Sequence, residues 1–464
     1  AYPYEIYNCT DLQNMTYNLG ANYKLNNNID CGVSPYNISL GFSPVGNTTN
    51  RFNGTLNGSF FTISNLFINR SAENNVGLFG YAKDNTFIFD FTLSNFNVKG
   101  NQYVGTLIGN TYDYIHIDNL VLNSGLVNGS SSRVGGLVGY FYSGVIENTY
   151  AEDINVTGVG RTGGLVGEGY GLINNSNVIN SNFYSSLSRG GGLVGDFGGT
   201  ITNSYSKNLY LEVTGTAGGL VGYFSSGIID NSYSENITLN ASSSRIGGLV
   251  GYNGAIIDNS YSKDIIIFGG TATIGGLAGE SGKIFDSYAE NVNITTTGNS
   301  VGGLVGLSWW NINNSYATGT VIGNDDVGGL VGRNLFLINN SYSTVDISGN
   351  TQVGGLVGEL FLGEIYNSFS TGNVSGSSQV GGFLGYNNNK TIINSYYHNH
   401  SGNPNTAIGA YLGNLQNVGS ESLISYFQDC NNEPIVSMVA AGAWTCTGSG
   451  YPQLTWTYTA PVSV

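Results

Sequence analysis

Residues 246–261 read Ile246-Gly247-Gly248-Leu249-Val250-Gly251, then Tyr252-Asn253-Gly254, then Ala255-Ile256-Ile257-Asp258-Asn259-Ser260-Tyr261. Both ends of that stretch recur through the chain. The glycine phrase returns about twelve times, at intervals of roughly 26 to 30 residues. Its central apolar residue falls at Leu78, Leu107, Leu137, Leu165, Leu193, Leu220, Leu249, Leu277, Leu304, Leu330, Leu356 and Phe383. Asn-Ser-Tyr or a relative keeps step, led by Asn148, Asn175, Asn203, Asn231, Asn259, Asp286, Asn314, Asn340, Asn367 and Asn394. A fixed period of this length marks a stack of supersecondary units, each too small to bury its own apolar face. The chain is read as a solenoid.

The kind of coil follows by exclusion. Gly, Asn, Ser and Thr fill the period, with 71 glycines in all, and no stretch spaces apolar residues at helical intervals. A propeller blade needs about 40 residues, so the period is too short for one. What remains is a parallel β-helix type of β-solenoid: about twelve coils, each with two or three short strands. Alternation in 255–261 predicts Ile257, Asn259 and Tyr261 on one face. Parallel stacking then lines up Asn148, Asn203, Asn231, Asn259, Asn314, Asn340, Asn367 and Asn394 as an amide ladder, with the tyrosines as a ring stack. Glycines occupy both parities of the Gly-Gly-Leu-Val-Gly strand, which leaves its inward face open.

Proline and cysteine mark the ends. All seven prolines (Pro3, Pro35, Pro44, Pro404, Pro434, Pro452, Pro461) avoid residues 45–403, as expected where N–H groups are spent in ladders. The organisation predicted is an N-terminal cap with first strands over 1–75, the repeat solenoid over 76–400, and a C-terminal cap and tail strand over 401–464. Cys9 and Cys31 lie in the first cap, Cys430 and Cys446 in the last. A rod would keep the two pairs apart, so the expected disulfides are Cys9–Cys31 and Cys430–Cys446, clamping the ends and implying an oxidising, extracellular setting.

The opening Ala1-Tyr2-Pro3 reads as a mature, processed end, and no apolar run approaches a membrane span. Only 9% of residues are charged and the net charge is −15. That balance, with no basic stripe, argues against nucleic acid and against docking on an anionic membrane. About eighteen Asn-X-Ser/Thr sequons occur: Asn8, Asn14, Asn37, Asn47, Asn53, Asn57, Asn69, Asn128, Asn155, Asn174, Asn236, Asn240, Asn293, Asn313, Asn339, Asn373, Asn389 and Asn399. Composition alone accounts for many of them, and export makes occupancy of several plausible.

Val-Gly-Gly-Leu-Val-Gly followed by Asn-Ser-Tyr resembles the GLUG repeat of secreted bacterial and archaeal surface proteins. The opening is similar to the segment that precedes such arrays: Asp11-Leu12-Gln13, Tyr23-Lys24-Leu25-Asn26-Asn27-Asn28-Ile29-Asp30, and Phe52-Asn53-Gly54-Thr55-Leu56-Asn57-Gly58 with Ile63-Ser64-Asn65-Leu66. Trp444 and Tyr451-Pro452-Gln453-Leu454-Thr455-Trp456 resemble the end of these modules. The resemblance covers nearly the whole chain. It implies an exported β-helical surface protein and no single activity.

Some relatives with such repeats are metallopeptidases, whose zinc needs His-Glu-x-x-His. His116, His398 and His400 form no such motif, and His398-Asn399-His400 reads as a polar loop. Glycan-active β-helices need acids that meet in space. Glu152 with Asp153 and Asp325 with Asp326 sit as neighbours on a strand, while Glu168, Asp196, Glu280 and Glu359 read as solvated turn residues. Trp309-Trp310 is either a sugar-stacking platform or, the reading preferred, one ring in the core beside one partly exposed. No catalytic residue, metal site or cofactor is expected.

Three function classes remain: a structural subunit of a surface filament or layer, a carbohydrate-binding adhesin, and a glycan-active enzyme. The first needs only a rigid, glycosylatable rod with clamped ends. Its expected partner is itself, joined head to tail, with glycans as a further partner. Trp456, Tyr458, Val462 and Val464 are the assembly candidates, in a tail that either adds as a strand to a neighbour or caps its own solenoid.

Overall fold

The structure, a computed structural model, describes residues 2–242, 244–413, 418–448 and 450–455. Among these, α-helix is confined to Cys9–Asn14 and Ile435–Ala440. The chain divides into two compact units, residues 1–215 with 220–223, and 216–219 with 224–464. Both are parallel β-solenoids, with about 13 turns in all, as the period predicts.

A coil of the N-terminal unit is built from three runs. Arg133–Gly135 leads to Val138–Phe141 and Ser143–Glu147, then a corner, then Tyr150–Gly158. Register with the next coils is kept residue by residue: Arg133 beside Arg161 beside Arg189, and Val138 beside Val166 beside Val194. Gly136-Leu137 bends the chain between the first two runs, and Leu137 is fully buried. The bend keeps its ladder, since Leu137 N donates to Leu165 O at 3.0 Å and Leu165 N to Leu193 O at 2.9 Å. A Cβ at Gly136 would collide with the Gly164 carbonyl one coil away, which explains why the phrase requires glycine there. Parallel stacking already runs through the N-terminal cap, where Tyr4–Ile6 pairs with Tyr23–Leu25 and Tyr23 with Leu56. The Cys9–Cys31 disulfide is formed beside these strands, with both cysteines buried.

The Asn-Ser-Tyr step corrects the alternation reading. Ile257 is buried and its strand ends at Asp258, but Asn259 turns the corner with φ of 42°. The same left-handed corner occurs at Asn148, Asn175, Asn203, Asn231, Asp286, Asn314, Asn340, Asn367 and Asn394. Asn tolerates that region where most side chains do not, so the period-2 pattern breaks there. The residue that turns inward is the serine. Ser260 is fully buried; its Oγ donates to Asp258 O at 2.6 Å and accepts from Ser232 N at 3.1 Å. Ser287, Ser315, Ser341, Ser368 and Ser395 repeat this, each hydroxyl satisfying an N–H of the preceding coil.

In the C-terminal unit, runs such as Arg245–Gly247, Val250–Asp258 and Tyr261–Gly269 stack in the same way. Tyr233, Tyr261, Tyr288, Tyr316, Tyr342 and Phe369 form a continuous ring column, with centroids 4.8 to 5.1 Å apart and planes within 9° of parallel. The spacing is that of neighbouring strands. The C-terminal cap lies along the flank of this column. Trp444, Phe427, Ile435 and Met438 pack on Tyr342 and Phe369, Trp444 Nε1 donates to Asn340 O at 3.1 Å, and Cys430–Cys446 ties the cap together. An apolar strip of rings drives that placement.

Candidate functional site

In the C-terminal unit, Tyr252, Glu280, Leu307, Arg333, Glu359 and Tyr386 occupy one phase on successive coils, just after the glycine phrase. Immediately after Leu307, Ser308 begins a bend that carries Trp309 and Trp310. Ser281 and Ser308 are in register, so Trp309 stands where the preceding coil has Gly282. The coil before that has Gly254 in the neighbouring position. Two small steps below a tryptophan leave an open cleft of about 400 Å³, lined by Arg245, Tyr252, Asn253, Glu280, Trp309 and Trp310 with the two glycines.

Each wall of the cleft is held. Trp309 N donates to Ser281 O at 3.1 Å and Ser308 Oγ to Trp310 O at 2.8 Å, which fixes the bend. Arg245 pairs with Glu280 at 2.8 Å and its guanidinium sits 5.2 Å from the Tyr252 ring centre. Asn253 is buried, donating to Ser281 Oγ and accepting from Ala255 N at 2.9 Å. Both indoles are 49% exposed, so neither fills the core, which corrects the reading preferred from sequence. With Gly on the coils below, the inward positions are already taken by Ser281 and Ser308 and the rings have nowhere to go but outward.

The acids read as solvated turn residues are buried instead. Glu168, Asp196, Glu280 and Glu359 are each under 10% exposed. In the N-terminal unit Arg133, Arg161 and Arg189 stack on one another, and the acids interleave. Glu168 pairs with Arg133 at 2.5 Å and Arg161 at 2.9 Å; Asp196 pairs with Arg161 at 2.9 Å and with Arg189. Burial opposes the charge of Arg133, yet its hydrogen bonds to Glu168 hold its pKa above the ordinary value. In the C-terminal unit Arg333 pairs with Glu359 at 2.7 Å. Burial, reinforced by the nearby Glu359, pushes the Asp326 carboxyl up to about 7, and burial raises Glu359 despite Arg333. A phase signal for these pairs is present in the sequence: Arg133, Arg161, Arg189 and Arg245 each stand four residues before a motif Leu, and the acids three after one.

The remaining candidates are dispersed. Asn175 Nδ2 donates to Asn148 Oδ1 at 2.7 Å, Asn203 to Asn174 at 3.0 Å, Asn259 to Asp230 at 3.2 Å, and Asn314 to Asp286 at 2.9 Å. Asn340, Asn367 and Asn394 each donate to the corner Asn of the coil before. From Asp286 to Asn394 the corner residues thus form a continuous side-chain hydrogen-bonded chain. Among the sequons, Asn8, Asn14, Asn37, Asn47, Asn128, Asn236, Asn240, Asn293, Asn373 and Asn389 are exposed. Asn53, Asn57, Asn69, Asn155, Asn174, Asn313, Asn339 and Asn399 are half-buried. In the sequons of Asn174, Asn313 and Asn339 the serine is Ser176, Ser315 or Ser341, locked inside the solenoid. His116 lies 2.7 Å from Glu147 and stacks on Phe87, while the rings of His398 and His400 are 4.5 Å apart. No group of three or more potential metal ligands occurs among the described residues. No helix among them is long and apolar enough to cross a membrane. Trp456, Tyr458, Val462 and Val464 lie outside the described residues.

Comparison with known proteins meets this geometry at the repeat. The GLUG motif matches at residues 242–267, 297–322 and 349–375. The chain carries GLUG repeats. Each match spans the Asn-Ser-Tyr corner or its counterpart together with the strand that follows, or the bend that precedes it. Halomucin of Haloquadratum walsbyi is 42% identical over 144 residues, which is 30% of this chain and 2% of halomucin. A protein of Evansella cellulosilytica designated a Gly-rich membrane protein is 34% identical over 128 residues, 26% of this chain and 15% of that one. The chain therefore spans a small part of either relative's length. Among solved structures, the A-module of the Azotobacter vinelandii mannuronan C-5 epimerase AlgE6 aligns over 80% of this chain and 91% of its own, at 10% identity and a TM-score of 0.34.

Proposed function

We propose that this chain is part of an extracellular surface protein, in which the GLUG solenoid is a structural element and not an enzyme. The observation that carries this is a GLUG-repeat solenoid bearing a disulfide in each of its caps. Such bonds persist in oxidising surroundings outside the cell. The stretch shared with halomucin and with a protein designated a membrane protein supports a place at the surface. N-glycans would occupy the exposed sequons, with Asn174, Asn313 and Asn339 bare once the solenoid has closed over their serines.

In this reading the subunits join head to tail. Stacked coils end in open strand edges, which are templates for further pairing, and a heterologous contact that does not close gives a fibre. The tail 457–464 would supply an intermolecular strand. Negative-stain microscopy and glycopeptide mapping of native material test the proposal together with a variant lacking residues 457–464. Filaments from the full chain, monomers from the truncated one and sugar on exposed sequons are expected. A cytosolic protein with four reduced cysteines would overturn the extracellular reading, and a full-length chain that is monodisperse at high concentration would overturn assembly.

A further inference from the structure

We propose that the Trp309–Trp310 cleft binds a carboxylated pyranose, a uronic acid unit of an acidic glycan. A pyranose ring has an apolar C–H face and a polar rim. It is recognised by exposed flat aromatic surface bordered by fixed hydrogen-bonding groups. The cleft supplies both. Two indoles, each half-exposed, rise beside a floor of Gly254 and Gly282, and Arg245, Tyr252 and Glu280 border it. Gly282 is required by the scaffold, since a Cβ there would strike the Ala255 carbonyl. The floor therefore stays flat.

The charge at the cleft selects the ligand. Arg245 and Glu280 neutralise one another at 2.8 Å. Lys283 is exposed, lies 5.8 Å from the Trp310 ring centre and has no ion-pair partner among the described residues. It leaves one uncompensated cation at the edge of the aromatic platform, in a chain whose net charge is −15. A sugar stacked on Trp310 would bring a ring carboxylate within reach of that ammonium, as a charge-assisted contact. A neutral sugar would leave it unused.

The site is independent of the surface-filament reading, so its failure leaves export and assembly untouched. The test is a titration of the full chain with a linear oligogalacturonate and with the matching neutral galactan. Indole fluorescence and calorimetry are the readouts, and far-UV circular dichroism checks each variant's fold. Binding of the acidic oligomer about tenfold tighter than the neutral one is expected, the size of one charge-assisted contact. Lys283→Gln should abolish that preference while leaving neutral binding in place. Trp310→Ala should weaken both ligands about tenfold or more. Since both rings lie at the surface, the variants keep the fold, and Trp309→Phe provides a milder second probe. No heat or quenching with either oligomer, equal affinity for both, or full affinity in Trp310→Ala would each overturn the proposal.

Discussion

The N-terminal unit stitches one edge with charge; the C-terminal unit runs a stack of rings down its flank. At the phase of the ring column the N-terminal unit has Tyr150, Asn177 and Tyr205, so no continuous stack forms. Instead three arginines lie side by side, with Glu168 and Asp196 between them. The C-terminal unit keeps six aromatic residues in line, and at the phase of the acid column the described residues give the separate pairs Arg245–Glu280 and Arg333–Glu359. In-register parallel stacking copies whatever side chain it is given. Rings gain from being copied one strand spacing apart. Like charges at that spacing repel, so an arginine column exists only with an acid column threaded through it.

The sharpest test of this contrast is Tyr342→Ala. Tyr342 is 4% exposed and stacks between Tyr316 and Phe369, with Trp444 of the cap 5.4 Å away. Removing it opens a cavity in the column and under the cap, at about 3–5 kcal/mol. Hydrogen exchange should show the protection lost in residues 316–396 and in the cap. A loss below about 1 kcal/mol would mean the rings are incidental to stability.

Glu168→Gln comes next. It leaves Arg133 and Arg161 adjacent, with their shared counter-charge gone. Because both guanidiniums are 20–30% exposed, the cost is discounted to about 1–3 kcal/mol. The loss should shrink as salt screens the repulsion. Denaturant melts at low and high ionic strength check this, and a salt-independent loss would show that packing rather than charge is what the acid supplies.

How legible these features were depends on which rule each residue obeys. Leu137, Leu165 and their successors, the proline-free span and the two cysteine pairs follow one-dimensional rules of period and exclusion, and the coil and both disulfides could be read from them. Asn259 and Ser260 obey a corner geometry that alternation cannot express: one left-handed residue reverses the parity, so serine faces the core. Glu168 and Asp196 lie 35 residues from Arg133 and Arg161, a spacing of one coil plus a few residues, invisible without the pitch of the coil. Trp309 and Trp310 were ambiguous because their direction is set by Gly254 and Gly282 on neighbouring coils, not by their own flanks.

Charge in the C-terminal unit can also be tested by pH. Asp326 has its pKa raised from the ordinary 3.8 to about 7 by burial and then by Glu359. A carboxyl raised in this way keeps its proton in the folded state while the unfolded chain ionises. Its stabilising contribution is therefore complete below about pH 4 and is lost as pH rises through about 7. Asp326→Asn should be more stable than the parent at pH 8 and should flatten this part of the profile. Asn also suits the left-handed corner, where φ is 47°. Melting curves from pH 4 to 9 decide it; an unchanged slope would place Asp326 in a better-solvated position than the fold gives it.

The smallest effect belongs to Lys263→Ala. Lys263 pairs with Glu290 at 2.7 Å, a shorter contact than either that Arg161 makes in the buried lattice, both 2.9 Å. Its hydrogen bond to Glu290 also raises the Lys263 pKa. Distance alone would rank this pair beside Glu168 with Arg161. Its side chains, however, are 39% and 34% exposed, against 11% for Glu168. Water solvates the surviving Glu290 when its partner is removed, so the cost should be only about 0.2–0.5 kcal/mol. Burial, not contact length, then separates the lattice of the N-terminal unit from the Lys263–Glu290 pair of the C-terminal one. If Lys263→Ala costs as much as Glu168→Gln under the same denaturant and salt, that distinction fails and the two units draw on their charges equally.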